Sequence, residues 1–311
     1  KQAVGTTPLD YCNHLRLRRA AGLLRNTDMS IAEIAGASGF EDSNYFSRVF
    51  RRQIDYLRRL FPCDTDLDNP RTLTLTFDDG YLNQYAVAHA ILAEFGLRAY
   101  FFCTLALWEE DAPLRVDRLL CWLSHVPPGR YVLPLREGEA PIILAIAGDA
   151  DRLPCWLRLN RLLAAREIDE AELLAAVEAC VPLADIRAGL PADAYALRFT
   201  PIPAAALAAM RAYGHQVGAH ARSHRSMALL DDADLHAEVA ACAARVGDLF
   251  NTGVFSYPFG GVREVTPRVI DCVRAHGFTR AVANIALPLA GGMAYGPFFL
   301  PRFALPNTAA R

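Results

Sequence analysis

Between Thr72 and Ile285, short apolar runs alternate with helical segments that close on glycine, and this alternation restricts the fold more than any other feature of the chain. The runs are TLTLTF at 72–77, RAYFFCTLAL at 98–107, HQVGAH at 215–220, VFSYPFGG at 254–261 and FTRAVANI at 278–285. Each is short and rich in β-branched, aromatic or small apolar residues, as expected of a strand covered on both faces. Between them lie a helix ending at Gly96, PAAALAAMRAYG ending at Gly214, a long helix expected over Ala233 to Phe250, and TPRVIDCVRAHG ending at Gly277. Such a pattern predicts an α/β fold with a parallel sheet, open or closed into a barrel, whose chemistry belongs at the carboxyl ends of the strands. With 311 residues and 53% apolar content, the chain can bury one large core or two unequal ones.

Everything before Pro62 reads differently. Leu17, Ala20, Ala21 and Leu24 form an i, i+3, i+4, i+7 stripe, and Ser30 and Glu33 have the spacing of a helix-capping box. Gly39 supplies a turn, and EDSNYFSRVFRR then places Tyr45, Phe46, Val49 and Phe50 on one helical face. The other face carries Ser43, Asn44, Ser47, Arg48 and Arg51, hydrogen-bonding and cationic groups suited to base edges and phosphates. Residues 1–62 hold ten Lys/Arg against six Asp/Glu, whereas the whole chain has a net charge of -2. A basic helix-turn-helix predicts a duplex DNA partner. The stretch closely resembles the second half of the DNA-binding domain of AraC-type regulators, over about fifty residues (5–53). That family normally carries two such units and a Gly-x-x-Pro tail; here the first unit is missing and IDYLRRLFP replaces the tail. PCDTDLDNP, ending at Pro70, marks the junction, which divides the chain into a partial helix-turn-helix domain at 1–62 and a second domain at 63–311.

The first strand of the second piece runs into Asp78 and Asp79. Adjacent carboxylates leaving a strand point in different directions and repel, and a nearby cation relieves that repulsion. His220 and His224, in HARSH, follow their own strand in the same way, and imidazoles four residues apart can converge on one ion. A third strand ends in FSYPFG, whose aromatic turn serves equally as a packed wall or as the lining of a ligand groove.

TFDDG, HARSH and FSYPFG, in that order with helices between them, resemble the signature segments of the polysaccharide deacetylase family. This family is also called the chitooligosaccharide deacetylase homology domain or carbohydrate esterase family four, and the likeness spans about residues 70–305. The resemblance implies a distorted (β/α) barrel holding a divalent metal ion, usually zinc. Carried over by position, Asp79, His220 and His224 are the ligands and Asp78 is the general base. The implied substrate is an N-acetylated oligo- or polysaccharide or sugar precursor. Its groove would be lined by Tyr257, Pro258, Phe259 and Gly260, with a backbone N–H near Phe259 stabilising the oxyanion.

Several positions depart from the family pattern. Ala221 replaces a hydroxyl residue, and Ser256 stands where many members have an arginine that orients the base. Arg302 in FLPRFALP is the candidate replacement, with an ordinary surface ion pair as its alternative. The usual late Leu-x-x-His acid is absent, which leaves His215, His276 or a metal-bound water to protonate the leaving amine. Residues 105–200 are expected to form a helical insertion over the barrel mouth, or else further barrel elements; Trp108, Trp122 and Trp156 lie in it as core residues or sugar platforms. Eight scattered cysteines without C-x-x-C fit a reducing compartment, and no run of eighteen apolar residues or signal-peptide pattern is present, so a cytoplasmic protein is expected. The functional expectation is a metal-dependent hydrolase that removes acyl groups from a carbohydrate, fused to a DNA-binding module. The alternatives are a carbohydrate-responsive regulator with an inactive barrel, and a fusion remnant without a DNA target.

Overall fold

The computed structural model describes residues 43–110, 112–134, 140–165, 168–285 and 296–303. Chain order begins with α1 (Ser43–Leu60), β1 (Thr76–Phe77), a π-helical turn (Gln84–His89) running into α2 (Ala90–Glu94), and β2 (Tyr100–Cys103). An insertion follows: α3 (Ala106–Glu109), α4 (Arg115–His125), the hairpin β3 (Gly129–Leu133) and β4 (Ile142–Ile146), then α5 (Asp149–Ala164), α6 (Glu170–Cys180), α7 (Leu183–Ala188) and α8 (Ala192–Phe199). Alternation resumes with α9 (Ala204–Tyr213), β5 (Gln216–Ala219), α10 (Asp232–Ala243), β6 (Val254–Ser256), α11 (Pro267–Ala275), β7 (Arg280–Ala283) and β8 (Leu300–Pro301).

Six strands pair in parallel in the order β1-β2-β5-β6-β7-β8, the α/β fold class expected from the alternating pattern. Period-two alternation sorts their side chains. Phe101, Cys103, Val217, Ala219, Phe255, Ala281 and Ala283 point outward into the large cluster that receives the helices. Tyr100, Phe102, Val254 and Val282 form a small inner cluster with Leu300 against it. Gly218 is required on this inner side, since a Cβ there would lie 2.6 Å from the Val254 carbonyl oxygen and 2.8 Å from the Phe102 ring. One step further along the strands, the inner face turns polar at Asp78, His220, Ser256 and Arg302. The sheet curls enough for a side chain to bridge its two edges: Arg302, just past β8, donates to Thr76 Oγ1 of β1 at 3.1 Å. A side chain, not a backbone ladder, closes this distorted barrel.

The insertion has an apolar core of its own, built on Leu119, Trp122, Leu144, Trp156, Leu173 and Val177. Tyr81 connects it to the barrel: its buried hydroxyl donates to Asp117 and accepts the Leu114 N–H at 3.0 Å. Helix α1 packs on the barrel exterior. Phe50 and Ile54 join the large cluster, Phe50 meets Phe77 edge-on at 5.9 Å, and Arg51 pairs with Glu94 at 2.7 Å. Burial of Ile54 alone contributes about 2 kcal/mol.

IDYLRRL continues α1, which runs unbroken to Leu60, in keeping with the helical reading of the chain before Pro62. Two sequence expectations change. Strand β1 is only two residues long, preceded by an isolated bridge between Leu73 and Cys63. The helix expected to reach Phe250 stops at Ala243, because the chain turns at Gly247, with φ +92° and its N–H bonded to the Phe250 carbonyl.

Candidate functional site

The carboxyl ends of β1, β5 and β6 bring Asp78, Asp79, His220, His224 and Ser256 together. One ligating atom each from Asp79, His220 and His224 lie within 4.8 Å of one another. His220 Nε2 is 3.6 Å, and His224 Nε2 3.4 Å, from Asp79 Oδ1. His220 Nδ1 donates to the Ser256 carbonyl at 2.8 Å, so the neutral ring presents its Nε2 lone pair to a carboxylate oxygen. Two electron-rich atoms face each other in a buried place, and a cation between them relieves the conflict. Burial disfavours charge on both imidazoles: it lowers the His220 pKa, and that of His224 falls to about 3 through burial and then the neighbouring His220. His224 Nδ1 is buried with no hydrogen-bond partner among the described residues. A divalent metal ion fits this donor set of one carboxylate and two neutral imidazoles.

Asp78 is held apart from this trio. Arg302 donates to both of its oxygens, Nη1 to Oδ1 at 2.8 Å and Nη2 to Oδ2 at 2.7 Å, and Ser256 Oγ donates to Oδ1 at 3.2 Å. Burial raises the carboxyl pKa, but the guanidinium outweighs it and leaves Asp78 well below the usual carboxylate range. Its side chain keeps 22% exposure, enough for water or a ligand to reach it. The guanidinium also lies over the Phe102 ring, 5.8 Å from its centroid.

Backbone strain is concentrated here. Among the described residues, the non-glycine positions with positive φ are Asp79 (84°), Ala221 (58°), His224 (60°) and Phe259 (61°), all in the three site loops. Such conformations cost of order 1–3 kcal/mol each and need support from their surroundings. Thr104 supplies part of it, donating its N–H to the Asp79 carbonyl at 2.9 Å and its hydroxyl to the His220 carbonyl at 3.0 Å. Glu238 supplies another part: its buried carboxylate accepts the N–H groups of Arg222 (3.0 Å) and Ser223 (2.8 Å) and the Ser223 hydroxyl (2.5 Å). Gly80 is fixed by shape, with φ +97° and Trp108 Cη2 only 2.9 Å from where a Cβ would stand.

Other expected residues fall elsewhere. Tyr257 is 1% exposed and its hydroxyl donates to the Phe298 carbonyl, so its ring is core and offers no face to a sugar. Pro258 and Gly260 are buried turn residues, whereas Phe259 keeps some exposure and packs edge-on against His224 at 4.9 Å. His215 lies at the opposite end of β5, buried and bonded to the Ala99 N–H and to His89, and cannot reach a leaving group. His276 sits after α11 beside Cys272 and His236, also away from the site. Trp122 and Trp156 are core residues of the insertion; half-buried Trp108 donates to the Ile202 carbonyl. In α1, Arg48 and Arg51 are exposed, while the side chains of Ser43, Asn44 and Ser47, together with residues 1–42, lie outside the described residues. Sequence reasoning missed Thr104 and Glu238. Glu238 carried a signal, as a carboxylate within the apolar stripe Leu235, Val239, Cys242.

Residues 1–57 match the helix-turn-helix domain family. Over 59 residues the chain is 51% identical to the HTH-type transcriptional activator RhaS of Citrobacter koseri and 49% identical to that of Klebsiella pneumoniae. The matched stretch is 19% of this chain and 21% of each activator, so the chain spans about a fifth of the length of these curated relatives. The N-terminal likeness to AraC-type regulators therefore stands. Solved structures with a similar trace include IcaB from Ammonifex degensii (18% identity, TM-score 0.44, 85% of each chain). Another is the Streptococcus pyogenes deacetylase PplD in complex with acetate (13% identity, TM-score 0.42, 97% of this chain and 88% of that one). Among the described residues no helix is long and apolar enough to cross a membrane.

Proposed function

We propose that the barrel is a metal-dependent hydrolase that removes N-acetyl groups from an oligo- or polysaccharide or sugar precursor. The observation that carries this reading is the placement of an ionised, arginine-held carboxylate beside a convergent Asp-His-His donor set. Asp79, His220 and His224 would hold the ion, zinc by preference for this set. When bound, it supplies Lewis-acid polarisation of the amide carbonyl and a lowered pKa for water.

The chain's own groups handle the proton. Asp78 accepts it from the water whose oxygen attacks the amide carbon. As the carbonyl oxygen gains charge, the Phe259 N–H, in a backbone turned to positive φ, is the donor assigned to it. The nitrogen takes the proton back from Asp78 as the C–N bond breaks, and the acid and amine so formed exchange a proton to leave acetate and an ammonium group. Of the histidines the sequence offered as a general acid, His215 and His276 lie away from the site, so Asp78 is the group placed to return the proton. Arg302 is assigned as the orienting cation that Ser256 cannot provide, which answers one of the two departures, the missing arginine, that favoured the inactive-sensor reading.

The helix-turn-helix match supports a second activity: binding duplex DNA through Ser43, Asn44, Ser47, Arg48 and Arg51. Both parts suit a cytoplasmic protein. For the barrel, metal content and amine release from N-acetylglucosamine oligomers are measured for the wild type and His220→Ala. The expectation is loss of both in the variant; bound metal without turnover of any acylated sugar by the wild type would sink the enzymatic reading. For the DNA arm, Arg48→Ala is expected to weaken duplex binding and reduce its salt slope by about one, and no duplex binding by the wild type at low salt would end it.

A further inference from the structure

We propose a second metal site on the outer helical layer, formed by His236 of α10 with Cys272 of α11 and His276 just past its end, that takes a thiophilic divalent cation such as zinc and clamps the two helices together. One ligating atom from each residue lies within 4.8 Å of the others. The sequence prepares this at the end of α11, where Cys272 and the capping residue His276 are four residues apart and one turn from each other. His276 Nδ1 is 2.9 Å from the Cys272 carbonyl oxygen, which can only accept, so Nδ1 carries the proton and the neutral ring keeps its lone pair on Nε2. Fixing the tautomer through a backbone carbonyl is how proteins orient metal-binding histidines. The same Nδ1 is 3.8 Å from Cys272 Sγ. Across the helix pair, the His236 and His276 rings approach to 5.0 Å between centroids at 51°.

Tetrahedral zinc, with bonds of about 2.3 Å to sulfur and about 2.0 Å to nitrogen, holds such atoms roughly 3.3–3.6 Å apart. Closing the remaining gap falls to His236, which is exposed and has room to change rotamer, whereas Cys272 is buried and fixed. Three protein ligands leave one position for water. Binding replaces the thiol proton, which is released to solvent, and the metal–thiolate bond must offset the burial that raises the Cys272 pKa. Arg268, the cation that acts on this thiol, is occupied by Asp232 and the carbonyls of Ala228 and Leu230.

The test is Co²⁺ titration of the metal-free full-length protein. The Asp-His-His cluster offers no sulfur, so a sulfur-to-cobalt charge-transfer band in the near ultraviolet reports the second site, whatever becomes of the hydrolase reading. The expected result is a saturable band, bleached when Zn²⁺ displaces Co²⁺, lost in Cys272→Ser, and requiring at least about tenfold more Co²⁺ in His236→Gln. No band in the wild type, or a band that survives Cys272→Ser, overturns the proposal. Because His236 is exposed, its variant remains informative if Cys272→Ser misfolds, and an unchanged Co²⁺ affinity in His236→Gln overturns the proposal as well.

Discussion

The two aspartates that end β1 differ in one respect that separates their chemistry: Arg302 grips Asp78 with two hydrogen bonds, and Asp79 faces two imidazoles. Replacing Asp78 by Asn should therefore leave bound metal in place and lower kcat/KM by about 10²–10⁴, the usual contribution of a general base. Metal analysis alongside kinetics checks both halves. Arg302→Met has a predictable sign. The guanidinium depresses the Asp78 pKa, so activity that needs the charged carboxylate survives into acid. Without it, burial prevails, the pKa rises, and the acidic limb of the kcat/KM profile moves to higher pH; an unmoved limb would exclude Asp78 as the titrating group. Glu238→Ala leaves the part-buried backbone N–H groups of Arg222 and Ser223 without their acceptor beside strained Ala221 and His224. The expected cost is about 3 kcal/mol in urea unfolding, together with weaker metal binding.

Among the elements, strand ends do the positioning, and turns give them room. Gly80→Ala forces a Cβ against Trp108 at φ +97° and should destabilise the fold by roughly 1–3 kcal/mol, read as a lower urea midpoint with unchanged slope. The parallel sheet was legible because its strands are short, apolar and separated by helices that close on glycine. The joint placement of Asp78, Asp79, His220 and His224 was legible because each follows such a strand. Legibility ended where turn geometry and strand polarity decide the outcome. Tyr257 and Phe259 are both aromatic, two residues apart around Pro258, and only the fold buries one and leaves the other accessible. His215 and His220 bracket a single strand and so stand at opposite ends of the barrel. The β3–β4 hairpin was missed because its five-residue strands sit in an Ala/Leu-rich stretch dominated by helical patterning. The pairing of Arg302 with Asp78 spans 224 positions and has no local signature.

For the molecule as a whole, pH and metal act on stability through different groups. Burial, with His89 and Arg98 nearby, lowers the His215 pKa from 6.5 to about 4. The folded state then binds fewer protons than the unfolded chain, so this contribution is present above pH 6.5 and is lost as pH falls toward 4. A His215→Gln protein should show a shallower loss of Tm across that window. Removing a cation held only by the folded state costs about 2.7 kcal/mol when its concentration had been a hundred times Kd, so a chelator should lower Tm reversibly. The manner in which the barrel closes has a developmental consequence. Asp79, His220 and His224 all precede the last described strand, while Arg302 follows it, so the three proposed ligands leave the ribosome before the arginine that grips Asp78. On the proposed reading, synthesis from the N-terminus completes the ligand set before the arginine that holds the base.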